Sequence, residues 1–170
     1  MTDAPRRPAV GPRLSTILPS PERPLRTILL AWPFVSLPAI LLAAIVSTLF
    51  PTAPSPMFPG PALEMFLAVV VISPVVETIV MAAVLELLVR RVSHLVAILL
   101  SAAGWATVHS LQAPTWGLVI WWPFLVFSAL YMTWRSRDPD WALLVPMAVH
   151  ALNNLGPTLL LLRSSGALPI

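Results

Sequence analysis

The sequence predicts an all-α integral membrane protein, a bundle of about five transmembrane helices with the N-terminus inside and the C-terminus outside. Of the 170 residues, 58% are hydrophobic and only 10% are charged, whereas an ordinary soluble domain carries about 25% charged residues. Asp, Glu, Lys and Arg are absent from three long stretches, 27–63, 92–134 and 141–162. The arginines lie between the apolar blocks. These observations exclude a soluble globular fold.

The apolar blocks divide into five spans at their proline, glycine and polar residues. A helix that crosses the hydrocarbon core of a bilayer needs about 20 apolar residues, and each block supplies enough of them. The predicted spans are 27–50, 62–89, 93–111, 116–134 and 141–162. Four tryptophans lie near span ends, as an interfacial aromatic belt would place them: Trp32, Trp116, Trp134 and Trp141.

The arginines mark every second connection between spans. Five of them precede the first span, Arg90 and Arg91 follow the second, and Arg135 and Arg137 follow the fourth. The connections 51–61 and 110–115 contain no basic residue. Since cytoplasmic loops are enriched in basic residues, this alternation predicts an odd number of spans, with the N-terminus inside.

The spans also predict how the chain is organised. Residues 1–26 are rich in proline and arginine and are expected to form a disordered cytoplasmic tail. A transmembrane domain covers 27–163, and 164–170 form a short C-terminal tail. The basic side chains, all arginine, do not form a patch, so no nucleic-acid partner is expected. The expected location is the bilayer of a bacterial inner (plasma) membrane.

Four polar side chains fall in the middle-to-outer half of the predicted bilayer: Glu77, His109, His150 and Asn154. Glu77 lies roughly 18 Å from the inner end of its helix, and the others lie at similar depths. Such groups cost free energy in lipid unless they are paired. A carboxylate, two imidazoles and an amide are the components of a hydrolytic centre. An interhelical hydrogen-bond cluster that only holds the bundle together fits the same pattern.

Other polar residues of the spans are interpreted as structural. Glu86 precedes Arg90 by four residues, the favoured spacing and order for an ion pair on one helix. Nine residues of helix place Glu86 on the face opposite Glu77. Glu64 and His94 lie near the predicted membrane boundaries and need no functional explanation. Pro74, three residues before Glu77, is expected to free backbone carbonyls and to bend its helix.

Three segments carry a recognisable set of motifs: Ser73-Pro-Val-Val-Glu77-Thr-Ile-Val-Met-Ala82, Trp105-Ala-Thr-Val-His109 and His150-Ala-Leu-Asn-Asn154. They resemble the motifs Glu-Glu-x-x-x-Arg, aromatic-x-x-x-His and His-x-x-x-Asn of the CAAX protease and bacteriocin-processing (CPBP, Abi) family of intramembrane proteases. The resemblance covers roughly residues 60–163. The first motif is degraded, because Thr78 stands at the second glutamate and Ala82 at the arginine.

The resemblance implies a glutamate-dependent endopeptidase. Glu77 and His109 would hold and deprotonate a water molecule, and His150 and Asn154 would donate hydrogen bonds to the oxyanion. The substrate would be a peptide or protein embedded in the membrane or next to it. The lost glutamate and arginine motivate an alternative, a non-catalytic immunity or partner-binding membrane protein of the same fold.

A zinc site is the alternative for the chemistry. Glu77, His109 and His150 are the ligand set of a hydrolytic zinc ion with an open fourth position. A mechanism without metal or other cofactor is favoured, since no further carboxylate would remain nearby to act as base if Glu77 were a ligand.

Overall fold

The computed structural model describes residues 24–58 and 60–167, and within them all regular structure is helical. Five helices follow one another along the chain: α1 (Pro24–Leu49), α2 (Ala62–Leu88), α3 (His94–Ser110), α4 (Gly117–Arg135) and α5 (Leu144–Ser164). A short 3₁₀ turn, Pro139–Trp141, precedes α5. The predicted all-α class is confirmed.

The helix ends differ slightly from the predicted boundaries. Helix α1 begins at Pro24, so the last residues of the predicted tail 1–26 are helical. The rest of that tail, 1–23, lies outside the described residues, as do 168–170 at the C-terminus. Each of the five predicted spans otherwise corresponds to one helix.

In the part of the chain that the structure describes, four helical segments are long and apolar enough to cross a membrane: α1, α2, α4 and Pro139–Ser164, which contains α5. Helix α3 has 17 residues, equivalent to about 26 Å, and is therefore short for a hydrocarbon core of about 30 Å. The chain is thus built as an integral membrane protein, with α3 as the shortest of the five helices described above.

Contacts between helices define two ends of the bundle. At the first end, Glu86 near the end of α2 pairs with Arg135 at the end of α4. At the second end, Phe58 meets Trp116 edge to face, with ring centroids 5.7 Å apart. Helix α3 begins shortly after Glu86 and finishes shortly before Trp116, so it runs from the first end to the second. The arginine-containing connections therefore lie together at the first end.

The core is centred on α4. In the most apolar stretch of α4, 56% of the residues are buried inside the bundle, against 17% in that of α1. Helix α4 is therefore the central helix and α1 the peripheral one. Phe124, Phe127, Leu130 and Trp134 of α4 are all almost fully buried. They recur at every third or fourth position, as expected for the inward face of a helix. Helices α1, α3 and α5 all pack against α4.

Helix α2 is interrupted by a π-helical turn at Ala68–Ile72. The Ser73 amide donates to the Ala68 carbonyl, five residues back. The next residue is Pro74, which has no N–H to continue this pattern to the Val69 carbonyl. The Val69 carbonyl is therefore left without a donor from its own helix, about two turns before Glu77. Such turns are frequent at functional sites.

Glu86 does not form the predicted pair with Arg90. Its carboxylate pairs instead with the Arg135 guanidinium of α4, whose Nη2 lies 2.8 Å from Oε2 and whose Nε contacts Oε1. The Tyr131 hydroxyl also donates to Oε1 at 2.8 Å. The forked guanidinium of Arg135 on the facing helix offers two bonds to the carboxylate. Arg90 lies beyond the last helical residue, Leu88, so the helical spacing on which the predicted pair depends ends before it. The structural interpretation of Glu86 stands with a different partner.

The predicted orientation can be tested with single cysteines, because the chain contains no cysteine. Thr52 is exposed at the second end and Ser136 is exposed at the first end. On intact cells, a membrane-impermeant maleimide should label Thr52→Cys, whereas Ser136→Cys should react only after permeabilisation. If both variants were labelled from the same side, α3 would not cross the bilayer and the five-span topology would be wrong.

Candidate active site

A cavity of about 680 Å³ lies between the helices, toward the second end of the bundle. All five helices contribute to its lining, α3 through His109, and residues of the loop between α1 and α2 line it as well. This volume is within the usual range for ligand sites, about 300–1,000 Å³. Its wall is mostly apolar. All four predicted site residues line it: Glu77, His109, His150 and Asn154.

Glu77 projects from α2 into the cavity, one turn after Ser73. The Ser73 hydroxyl donates a hydrogen bond to Oε1 of Glu77. The other oxygen, Oε2, lies 3.8 Å from Nε2 of His150, which is beyond direct hydrogen-bond distance. The Glu77 side chain is 20% exposed, against 5% for His150. The carboxylate therefore faces the cavity, while the imidazole forms part of its buried floor.

His109, in the last turn of α3, is buried, and its partner fixes the tautomer of its neutral ring. Nδ1 lies 2.8 Å from the Trp105 carbonyl, one turn earlier in the helix. A carbonyl oxygen only accepts, so Nδ1 carries the hydrogen and Nε2 keeps a lone pair. The ring meets Trp116 edge to face at 4.7 Å. His109 therefore offers a proton-accepting nitrogen.

His150, on α5, is held by aromatic rings of α4. It stacks on Phe127 with centroids 4.5 Å apart and meets Phe124 nearly at right angles at 5.4 Å. Its Nδ1 is buried and has no hydrogen-bond partner among the described residues. An unpaired buried N–H is costly, and the Glu77 carboxylate faces Nε2. Both facts place the hydrogen of the neutral ring on Nε2, as a donor directed toward Glu77.

Asn154 is anchored to the irregular turn of α2. Its Nδ2 donates to the Val69 carbonyl at 3.0 Å, the acceptor that the π turn and Pro74 leave unfilled. An asparagine amide nitrogen has two hydrogens, and this bond uses one of them. The second remains for a ligand in the cavity.

Three further side chains, Ser36, Ser73 and Asn153, contact the site but are not among the four residues predicted from the sequence. Ser36 on α1 donates to Oδ1 of Asn153 at 3.1 Å, and Nδ2 of Asn153 lies 3.5 Å from Oδ1 of Asn154. The contact between Ser73 and Glu77 could have been predicted from the sequence, because residues four apart lie on the same face of a helix. Ser36 and Asn153 are 117 residues apart, and no local pattern connects them.

The two motif positions that depart from the family face the core. Thr78, at the second glutamate, is 1% exposed, and Ala82, at the arginine, is 6% exposed. The Thr78 hydroxyl has no hydrogen-bond partner among the described residues. Neither side chain supports Glu77, whose carboxylate accepts from Ser73 instead. The loss of the second glutamate and the arginine thus leaves Glu77 in the cavity.

The zinc alternative requires three donor side chains gathered around one point. Within 24–58 and 60–167, no group of three His, Asp or Glu side chains is arranged to hold a metal ion. Nδ1 of His109 is bonded to the Trp105 carbonyl, so Nε2 is the nitrogen of that ring that a metal would need. No step of the chemistry is therefore derived through a metal.

Comparison with known proteins supports the motif resemblance. A family model described as Type II CAAX prenyl endopeptidase Rce1-like matches residues 59–156, which is more than half of the chain. The match contains all three motif segments and therefore all four predicted site residues. No curated protein and no solved structure matches the chain. The chain therefore belongs to the Rce1-like branch of the CAAX protease family of intramembrane proteases.

Proposed function

We propose that the chain is an intramembrane endopeptidase that hydrolyses a peptide bond with a water molecule activated by Glu77 and His109. One observation carries the proposal: Glu77, His109, His150 and Asn154 line one cavity inside an apolar bundle. Membership of a protease family supports peptide hydrolysis as the reaction.

Glu77 and His109 are suited to hold the attacking water. The Glu77 carboxylate accepts hydrogen bonds, and Nε2 of His109 has a free lone pair because Nδ1 is bonded to Trp105. A water molecule that donates one hydrogen to each group keeps a lone pair for attack on the peptide carbonyl. As the oxygen–carbon bond forms, the water proton passes to Glu77. General-base assistance of this kind contributes roughly 100- to 10,000-fold to the rate.

His150 and Asn154 are suited to stabilise the oxyanion. Nε2 of His150 carries a hydrogen that is not bonded to Glu77, since Oε2 lies 3.8 Å away. Asn154 has a second N–H beyond the one bonded to Val69. Fixed donors aimed at a developing negative charge act strongly where water is excluded. The intermediate then collapses, the carbon–nitrogen bond breaks, and Glu77 returns the proton to the leaving amine. The atoms balance as one water added across one peptide bond.

The setting of the cavity indicates the kind of substrate. Its mostly apolar wall favours an apolar peptide segment, supplied by a protein embedded in the bilayer or lying at its surface. The cavity lies toward the second end of the bundle, where most residues of 50–58 line it. With the N-terminus inside, as the arginines predict, this end faces away from the cytoplasm. We place the protein in a bacterial inner membrane.

The direct test is proteolysis by the purified protein in liposomes, with quenched fluorescent peptides of apolar sequence. Glu77→Gln should lower kcat at least about 100-fold, because the amide cannot accept the proton from water. Asn154→Ala should cost about 100- to 1,000-fold, the usual loss for one oxyanion donor.

Glu64→Gln is the matched control, since Glu64 lies exposed on the same helix and does not line the cavity. It should retain wild-type activity. Full activity of Glu77→Gln would refute the mechanism. The alternative predicts a different result in cells. If cells carrying Glu77→Gln behaved like cells carrying the wild-type chain, while cells carrying helix-packing variants did not, the non-catalytic immunity or partner-binding function would be correct.

We also propose that the reaction needs no metal or other cofactor. In this mechanism Glu77 is the base, and a zinc ligand at that position would leave the cavity without a carboxylate base. Activity should therefore survive dialysis against a chelator, and elemental analysis should find no stoichiometric zinc. Stoichiometric zinc that disappears in His109→Ala, together with chelator-sensitive cleavage, would contradict the proposal.

A further inference from the structure

A chain of hydrogen bonds crosses three helices beside the cavity. It starts at the Ser36 hydroxyl of α1, which donates to the Asn153 side-chain oxygen at 3.1 Å. The Asn153 amide points to the Asn154 side-chain oxygen at 3.5 Å. The Asn154 amide donates to the Val69 carbonyl of α2 at 3.0 Å. The chain therefore ends on the acceptor freed by the π turn.

These bonds fix which way the Asn154 amide faces. The Val69 carbonyl only accepts, so it requires the NH₂ group of Asn154 and excludes the flipped amide. The Asn154 oxygen is then turned toward the Asn153 NH₂ group, which in turn directs the Asn153 oxygen toward Ser36. Each bond constrains both of its partners, so loss of the Ser36 hydroxyl removes a restraint on the Asn153 amide and, through it, on Asn154.

The direction of the bonds has a second effect. Every member donates toward the next, and hydrogen bonds in such chains polarise one another. The Ser36 hydroxyl withdraws charge from the Asn153 amide, and the Asn153 amide does the same to Asn154. The remaining N–H of Asn154 becomes a better donor to a negative charge in the cavity.

We propose that Ser36 and Asn153 are positioning residues that hold the Asn154 amide as the oxyanion donor. This inference rests on the proposed function. Ser36 lies outside the segment 59–156 that the family model matches, so the peripheral helix α1 adds a part of the site that this match does not cover. Helix α1 forms one wall of the cavity. The bond from Ser36 therefore makes the orientation of the Asn154 amide depend on the position of α1.

The chain offers a matched control for Ser36. Ser47 is also on α1 and also lines the cavity, but its hydroxyl donates to the Ala44 carbonyl of its own helix at 2.9 Å. Ser36→Ala and Ser47→Ala therefore remove the same group from the same helix and cavity. Only Ser36→Ala breaks the hydrogen-bond chain, and Ser36→Thr keeps the hydroxyl.

The first measurement is independent of activity. Asn153 and Asn154 are the only asparagines in the chain. Asparagine labelled with ¹⁵N in its side-chain amide therefore gives one pair of NH₂ signals for each residue in detergent micelles, assigned with Asn153→Ala. Ser36→Ala should shift both signals, and Ser47→Ala should shift neither. Unshifted signals in Ser36→Ala would overturn the inference.

The second measurement is peptide cleavage per folded molecule. Ser36→Ala and Asn153→Ala should each lower kcat about tenfold with KM within about twofold, less than the loss of the donor itself. Ser36→Thr should restore kcat. If Ser36→Ala kept the kcat of Ser47→Ala while the wild type was active, the positioning role alone would be refuted. A wild type that cleaves nothing would refute the proposed function, and with it this role.

Discussion

The structure depends on one constraint: a polar group inside this apolar bundle must find its partner on the protein, because lipid offers none. The Val69 carbonyl is the clearest case. The π turn and Pro74 deprive it of a donor in α2, and the Asn154 amide of α5 supplies one. The same bond joins two helices and fixes a donor beside Glu77. The bond that satisfies the Val69 carbonyl therefore also orients the Asn154 amide in the site.

The aromatic core of α4 imposes the second part of the geometry. Phe127 stacks on His150 and Phe124 meets it at a large angle, so the imidazole has little freedom to rotate. Trp105 serves His109 in a different way, through its backbone carbonyl. The two histidines thereby keep different nitrogens for the cavity, a donor on His150 and an acceptor on His109. One residue type supplies both functions because its surroundings differ.

Much of the fold can be predicted from the sequence. The length needed to cross a bilayer and the free-energy cost of a charge in lipid each constrain one segment at a time. The five helices, and the grouping of Arg90, Arg91, Arg135 and Arg137 at one end, are readable without any tertiary contact. Glu77, His109, His150 and Asn154 could be named because intramembrane polar groups stand out and match known motifs. Partners on other helices could not be predicted in this way. Glu86 pairs with Arg135 rather than Arg90, and Ser36 donates to Asn153. Such pairs depend on helix rotation and packing, which local spacing does not specify.

The structure shows where the two residues that depart from the family's first motif lie relative to Glu77. Thr78 and Ala82 are buried in the core, whereas Glu77 alone turns to the cavity and accepts a hydrogen bond from Ser73. A serine one turn earlier on the same helix thus provides Glu77 with a partner that the replaced residues do not. The carboxylate keeps one oxygen for the cavity, which is what activation of water requires.

The most direct test of this mechanism follows the oxygen atom through a single turnover in ¹⁸O-enriched water, with enzyme in excess over peptide. If Glu77 activates water, mass spectrometry will find the label in the new carboxyl group of the N-terminal product and none in Glu77. Label in the Glu77 carboxylate with an unlabelled product would show that Glu77 attacks the peptide itself. That result, or no cleavage at all, would contradict the mechanism.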